Sequence, residues 1–522
     1  MAAQHRPIAP EGDEIMQRAP GTELLFDTAM HHGEATGLQF IQQNGQTIFL
    51  VPQPSLTDPN DPLNWSHRKK WAVYLNGVAY AFMGSVTGPI MSAGMQLLAA
   101  QFHDPLQKIS YANGATLICQ GVGNILWMPF VLKIGRRPVY MVSNILMGIV
   151  CVWLGLASKV SYTPLIIGRA FLGFFEAPIE SIVPTTITDI FFLHDRGEKV
   201  SLYGLSVLGG NELGPLTKFT GPRPTVHLGQ PVVERNGENT DMARDERVER
   251  ANDVDDFRGG KTDDASGTET RTHLSSSPNV QNAPEGPAKH SFSRSLRLWQ
   301  KPDPNVSLKR ALLRPFILLT YPTVVWASVM YGFSVGWNVI LGATLAQLFG
   351  PQYGFNSQAQ GLVFLSPFVG SLVGSWLCGS LSDKVANYFT RKNEGIREPE
   401  MRLPVCVLGT VFTFLGALTL TLTYHYNTHY MGPIVGLGIL FAGAQLSVEL
   451  MVTVASLKSA IAWIWTWVIN DWILSDGMLV VFIVIASINV VVHMSTIIFY
   501  FWGQKIRVWI AEKQMLVRCG LV

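Results

Sequence analysis

About eleven apolar blocks of roughly 20 residues run through this chain, and they constrain its fold more than any other feature. A helix of roughly 20 residues spans the ~30 Å of hydrocarbon in a bilayer. The blocks fall at 71–98, 111–132, 139–158, 164–190 and 200–218, then at 316–348, 361–382, 403–424, 431–448, 450–472 and 478–502. Inside lipid every backbone N–H and C=O must be satisfied within the chain, and helices do this segment by segment. The expected fold is therefore an all-α polytopic membrane protein, not the several soluble domains that 522 residues would otherwise allow.

Polar stretches divide the blocks into two halves. Residues 1–64 are rich in Pro, Gly and Asp and are expected to form a loosely ordered cytoplasmic tail. They lack the basic-then-apolar start of a cleaved signal, so the first span is the expected targeting signal. Arg68, Lys69 and Lys70 abut that span beside Trp65 and Trp71, which favours a cytoplasmic N-terminus. Residues 65–218 make the first transmembrane half and 316–503 the second, with 504–522 a cytoplasmic tail. Between the halves, residues 219–315 form a hydrophilic linker too polar to offset the entropy of ordering it.

Loop charge fixes an orientation within each half but not between them. Lys133–Arg137 and Arg196–Lys199 share the side of the N-terminus if spans alternate. In the second half the cations cluster at Lys309–Arg314, in the loop from Lys384 to Arg402, and from Lys505 onward. Five spans would put the linker, and with it every one of these later cations, on the wrong side. A span is missing, or one block does not insert. The block at 200–218 is short and carries Glu212, so it is expected not to cross, leaving the linker and the acceptor pattern at Asn305 cytoplasmic.

The stretch from Pro164 to Lys199 carries the chemistry. It places Arg169, Glu176 and Glu180 inside an apolar run, where a charge faces a bundle interior or a wet cavity. Spacings of seven and eleven residues bring all three to one helix face, with Gly173 between them. They read as the wall of a polar pathway or as a buried ion pair between helices. In the next span Asn211 and Glu212 sit among Gly209, Gly210, Gly214 and Pro215, and the sixth block offers Tyr331 and Trp337 for a bulky, partly apolar ligand. Glu449 and Lys458 each need a partner that the sequence does not name. The cysteines Cys119, Cys151, Cys378, Cys406 and Cys519 are scattered, with no metal or disulfide spacing. No phosphate loop, metal-ligand spacing or nucleophile triad is present, so enzymatic catalysis, a cofactor and ATP drive have no support, and a net charge of +2 gives none for nucleic acid.

Several stretches in order resemble the major facilitator superfamily, in its fungal drug:proton antiporter branch with twelve spans. They are DPLNW (Asp61–Trp65), KIGRRPVY (Lys133–Tyr140), GRAFLG (Gly168–Gly173), ITDIFFLHDRGEKVSLYGL (Ile187–Leu205), LGGNELGP (Leu208–Pro215), GSLSDK (Gly379–Lys384) and NEGIREPEMRL (Asn393–Leu403). The resemblance implies two helical-bundle halves that rock about a midplane site. Arg169 then matches a fourth-span arginine implicated in proton coupling, with Glu176 and Glu180 as carriers of a proton or a cation. Gly135, Arg136 and Arg137, with Gly379, Asp383 and Lys384, match gating loops, and Gly214 and Pro215 match a fifth-span motif linked to a leak-tight interface. Two departures stand out. LGPL runs into polar sequence, so span six is expected to be absent, and Leu132 stands where the family often has Asp.

The resulting expectation is a proton-coupled efflux carrier for a small amphipathic organic molecule, a drug or a fungal secondary metabolite. Its partners would be that molecule, protons and the lipid bilayer, and it would be a monomer in the plasma membrane, with the vacuolar membrane as an alternative. Uptake of a small cation such as a polyamine or amino-alcohol is the rival within the class. A sensor-like or truncated protein that transports nothing is the rival outside it.

Overall fold

The computed structural model of the chain describes residues 58–216, 306–393, 396–448 and 455–513. It also describes 23–24, 40–43, 46–55, 297–299, 302 and 304. The linker between 217 and 296, Asn305, Glu449 and Cys519 lie outside the described residues, and with them the expectation of an absent sixth span.

The first half is built from α1 (His67–Thr87), α2 (Met95–Phe102), α3 (Leu106–Ile134), α4 (Arg136–Ala157), α5 (Tyr162–Glu176), α6 (Pro178–Ile190) and α7 (Leu193–Leu213). After α8 (Leu308–Leu318) the second half comprises α9 (Pro322–Tyr353), α10 (Ser357–Val363), α11 (Leu365–Lys392), α12 (Pro404–His425), α13 (Met431–Val448) and α14 (Ala455–Lys513). By length and composition six stretches among the described residues can cross a membrane: α3, α4, α9, α10 with α11, residues 399–425, and α14. The last holds two of the expected spans, because Gly477 breaks it at φ 80° without any intervening loop. The expected span at 431–448 is a shorter apolar helix, and the remaining ones are interrupted or polar. Pro89 opens a short 3-10 turn after α1, and Pro178, which has no N–H to continue the ladder, separates α5 from α6.

Two seams join the halves. Along the first, α3 packs on α14, where Gln107 Nε2 donates to the carbonyls of Thr466 (3.0 Å) and Trp467 (2.9 Å). Along the second, α7 packs on α11, and Ser201 Oγ donates to the Ser375 carbonyl at 3.1 Å. The block at 200–218, expected not to cross, forms most of α7, which is not among the stretches long and apolar enough to span. Helix α7 lies between α1 and α11, and the buried Glu212 is accommodated by a hydroxyl of the second half.

Packing within each half depends on close backbone approach. A Cβ on Gly173 would stand 2.0 Å from the Thr116 carbonyl oxygen of α3, and one on Gly370 would stand 2.1 Å from that of Gly438. The largest apolar core lies in the second half, with Trp337, Phe349, Phe364 and Phe441 almost wholly enclosed. In the N-terminal stretch expected to be loosely ordered, the described residues include short strands and the 3-10 turn Pro62–Asn64. Phe40–Gln43 (β2) pairs antiparallel with Gln46–Phe49 (β3), while Glu23–Leu24 (β1) pairs with Ile396–Arg397 (β4) of the second half.

Candidate functional site

The two seams leave a cavity between the halves. About 870 Å³ of empty space lies there, part of it open to solvent, and the polar wall includes Asn113, Gln120, Arg169, Glu176, Glu180, Asn211, Asn338 and Lys458. Contacts close around it at both ends. On the side of the basic loops, Ser201 meets Ser375. On the opposite side, Gln96 Nε2 donates to the Ala346 carbonyl at 2.6 Å.

Arg169 is 3% exposed, yet it holds no carboxylate. The turn at Pro89 frees carbonyls at the end of α1. Arg169 Nη1 donates to Thr87 O (3.2 Å), and Nη2 donates to Gly88 O (2.5 Å) and to Asn113 Oδ1. The guanidinium fork thus ties α5 to α1 and α3 at the cavity wall.

Glu176 and Glu180 line the same cavity as Arg169. Pro178 lies between them and starts a new helix, so they face different neighbours. Glu176 lies beside Gly84 and Gly88 of the first span, and its Oε2 is buried with no donor among the described residues. Glu180 crosses to the second half and pairs with Lys458 of α14. The lysine ammonium also lies 5.1 Å above the centroid of the Tyr331 ring. Tyr331 therefore supports the site from below rather than lining it.

Asn211 faces the cavity as expected, whereas its neighbour Glu212 does not. Glu212 points into the α7–α11 seam, fully buried, and accepts a 2.6 Å hydrogen bond from Ser371 Oγ. Trp337 also leaves the site. Adjacent helical residues point about 100° apart, so Trp337 packs against Phe482 (5.9 Å between ring centroids) while Asn338 and Val339 face the cavity. Sequence reading passed over Asn113 and Gln120, and marked Lys458 only as a cation in need of a partner. Of these, only Lys458 carried a signal, as a cation within an apolar block.

The loop residues lie away from the cavity. Gly135, at φ 95°, makes the turn that starts α4 and sets Arg136 against Asp189 of α6 at 2.6 Å. A carboxylate from the fourth span thus serves where Leu132 offers none; both Leu132 and Arg137 are exposed. In the second half Asp383 accepts from Arg402 (2.7 Å) and Arg397 (3.4 Å), and Lys384 is exposed. The backbone at Gly197 lies so close that a Cβ there would stand 2.8 Å from Asp383 Oδ2, so the basic loops of both halves share one side. Gly379 packs by Ser201, and a Cβ on Gly214 would stand 2.6 Å from the Val86 carbonyl oxygen. The Pro215 carbonyl abuts Gly361, so the Gly–Pro motif sits in close packing at the side opposite the basic loops.

A sequence model of the Major Facilitator Superfamily matches residues 73–217. An uncharacterized MFS-type transporter of Schizosaccharomyces pombe is 24% identical, covering 96% of this chain and 95% of its own length. The MFS-type transporter penM of Penicillium rubens is 26% identical over 76% of this chain and 74% of its own. Among solved structures, the proton:xylose symporter XylE matches with a TM-score of 0.53 at 13% identity, covering 84% of this chain and 97% of that one. The chain thus has the all-α polytopic fold of the major facilitator superfamily. It is a multi-pass membrane protein whose relatives are fungal transporters, not enzymes.

Proposed function

We propose that the chain is a proton-coupled secondary transporter that exports a small amphipathic organic molecule, a drug or a fungal metabolite, by alternating access. The observation that carries this reading is the inter-half cavity with Arg169, Glu176, Glu180 and Lys458 in its wall. Charges buried among membrane helices are costly and favour a pathway over a packing role. Fully ionised, this set is neutral: two cations face two carboxylates. Glu180 has Lys458, and Arg169 is taken up by carbonyls and an amide, so Glu176 is left as the carboxylate free to take and release a proton. Proton and cargo then compete for one enclosure, and rocking of the halves exposes it to each side in turn. The whole pathway lies within one chain, which favours a functional monomer, and export favours the plasma membrane.

Uptake of a small cation is the second reading, favoured by the carboxylate pair Glu176 and Glu180. The test is flux of a fluorescent amphipathic dye in vesicles with an imposed pH gradient. Glu176→Gln keeps the volume and removes the titration, so gradient-driven flux should fall at least tenfold and its pH dependence flatten. Undiminished flux with an unchanged pH profile would refute the coupling role.

A further inference from the structure

At the basic-loop end of the cavity three side chains from three helices meet. Glu180 of α6 accepts from Lys458 Nζ of α14, and the two side chains are 9% and 4% exposed. Tyr331 of α9 lies beneath the ammonium, its ring centroid 5.1 Å from Nζ. The second carboxylate oxygen, Glu180 Oε2, is buried without a donor. A carboxylate, an aromatic face and a spare acceptor around one enclosed point are what a protonated amine needs: charge-assisted hydrogen bonds on one side and a π surface on the other. Here the chain fills that point with its own lysine, supplied from the opposite half of the molecule.

We propose that Glu180 and Tyr331 form a binding site for a protonated amine, filled by Lys458 while the halves are closed and vacated when an amine of the cargo takes the lysine's place. This rests on the reading of the cavity as a cargo path. The ion pair joins α6 of the first half to α14 of the second, so any motion that parts the halves along this line must break it. Breaking a buried pair leaves an uncompensated carboxylate, a state strongly disfavoured unless another cation arrives. Glu180 and Lys458 both line the cavity, so an entering amine meets the carboxylate directly. The neighbouring charges do not substitute for it. Arg169 is committed to Thr87, Gly88 and Asn113, and Glu176 adds further negative charge that favours a second cation. The cargo class this assigns is an organic primary or secondary ammonium with an apolar body, the body lying along Val207, Val335 and Val339 of the same wall.

Chemical rescue tests the site without reference to flux. Lys458→Ala removes the tethered ammonium and leaves Glu180 in place. In the purified full-length variant in lipid nanodiscs, ethylammonium at a hundredfold excess over its Kd should raise the melting temperature by roughly 2 °C. The parent should shift by less than a third of that, because its own lysine occupies the site. Propanol, of similar size but neutral, should do nothing in either. The shift should vanish in the double variant Lys458→Ala/Glu180→Gln. If Lys458→Ala does not fold, Lys458→Met keeps the stem volume and carries the same test. Equal rescue by propanol, rescue surviving in the double variant, or no response to ethylammonium would each overturn the proposal. Rescue in a protein that moves no dye would leave the amine site standing and remove the transport reading.

Discussion

Arg169→Ala is the substitution whose cost can be worked from the structure. The side chain is 3% exposed and donates to Thr87 O, Gly88 O and Asn113 Oδ1. Deleting it leaves these three acceptors without that donor at the wall of a largely enclosed site. Each orphaned acceptor costs about 1–3 kcal/mol, and part of the loss is recovered where the cavity lets water in. The net destabilisation should be about 3–6 kcal/mol, enough to lower the melting temperature clearly and to reduce the yield of folded protein. Arg169→Lys keeps the charge but replaces a planar fork with one compact ammonium, which reaches fewer of the three acceptors. It should recover roughly half of the loss. Thermal unfolding followed by tryptophan fluorescence in nanodiscs measures both variants, with dye flux recorded in parallel. Arg169→Ala within about 1 kcal/mol of the parent would refute the clamp described here, since a stability effect this small cannot come from three orphaned acceptors.

Gly173→Ala should destabilise by about 1–3 kcal/mol, because its Cβ would stand 2.0 Å from the Thr116 carbonyl and force α5 away from α3; the same unfolding assay reads it. Glu398, half-buried outside the spans, has its carboxyl held above the ordinary range, first by burial and then by Glu400. An acid with a raised folded-state pKa favours the fold most when protonated, so its contribution is full below the ordinary carboxylate pKa and is lost as pH rises through the raised value. Glu398→Gln should therefore flatten that part of a melting-temperature scan against pH, and a scan identical to the parent's would refute the contribution.

The polytopic all-helical fold was legible because span length is set by the bilayer and not by tertiary contacts. The face of each helix was harder to read. Seven- and eleven-residue spacings placed Arg169, Glu176 and Glu180 on one stripe, and all three line the cavity, but Pro178 restarts the helix between the glutamates and turns them to different partners. Trp337 looked like a ligand contact from its chemistry, yet one step along the helix puts Asn338 in the wall and Trp337 in the core. Lys458 was visible as a cation out of place, but its partner lies 278 residues away in the other half, and no local pattern encodes such a pairing. Glu212 was expected to argue against insertion. A serine on the facing helix donates to one of its oxygens, while the other is buried without a donor among the described residues.

The break at Gly477 has a mechanical consequence. With φ 80° and no loop, it folds the last two spans back to back with almost no slack between them. The second of these grips α9 along its length, with Trp326 stacked on Phe499 at 4.2 Å and its indole N–H donating to Ser495 Oγ at 2.8 Å. Lys458 and Tyr331 are consequently bolted to one frame, and a swing of that frame carries both together. Under the proposed rocking, the distance between Glu180 and the ammonium opposite is one that changes as that frame swings against the first half.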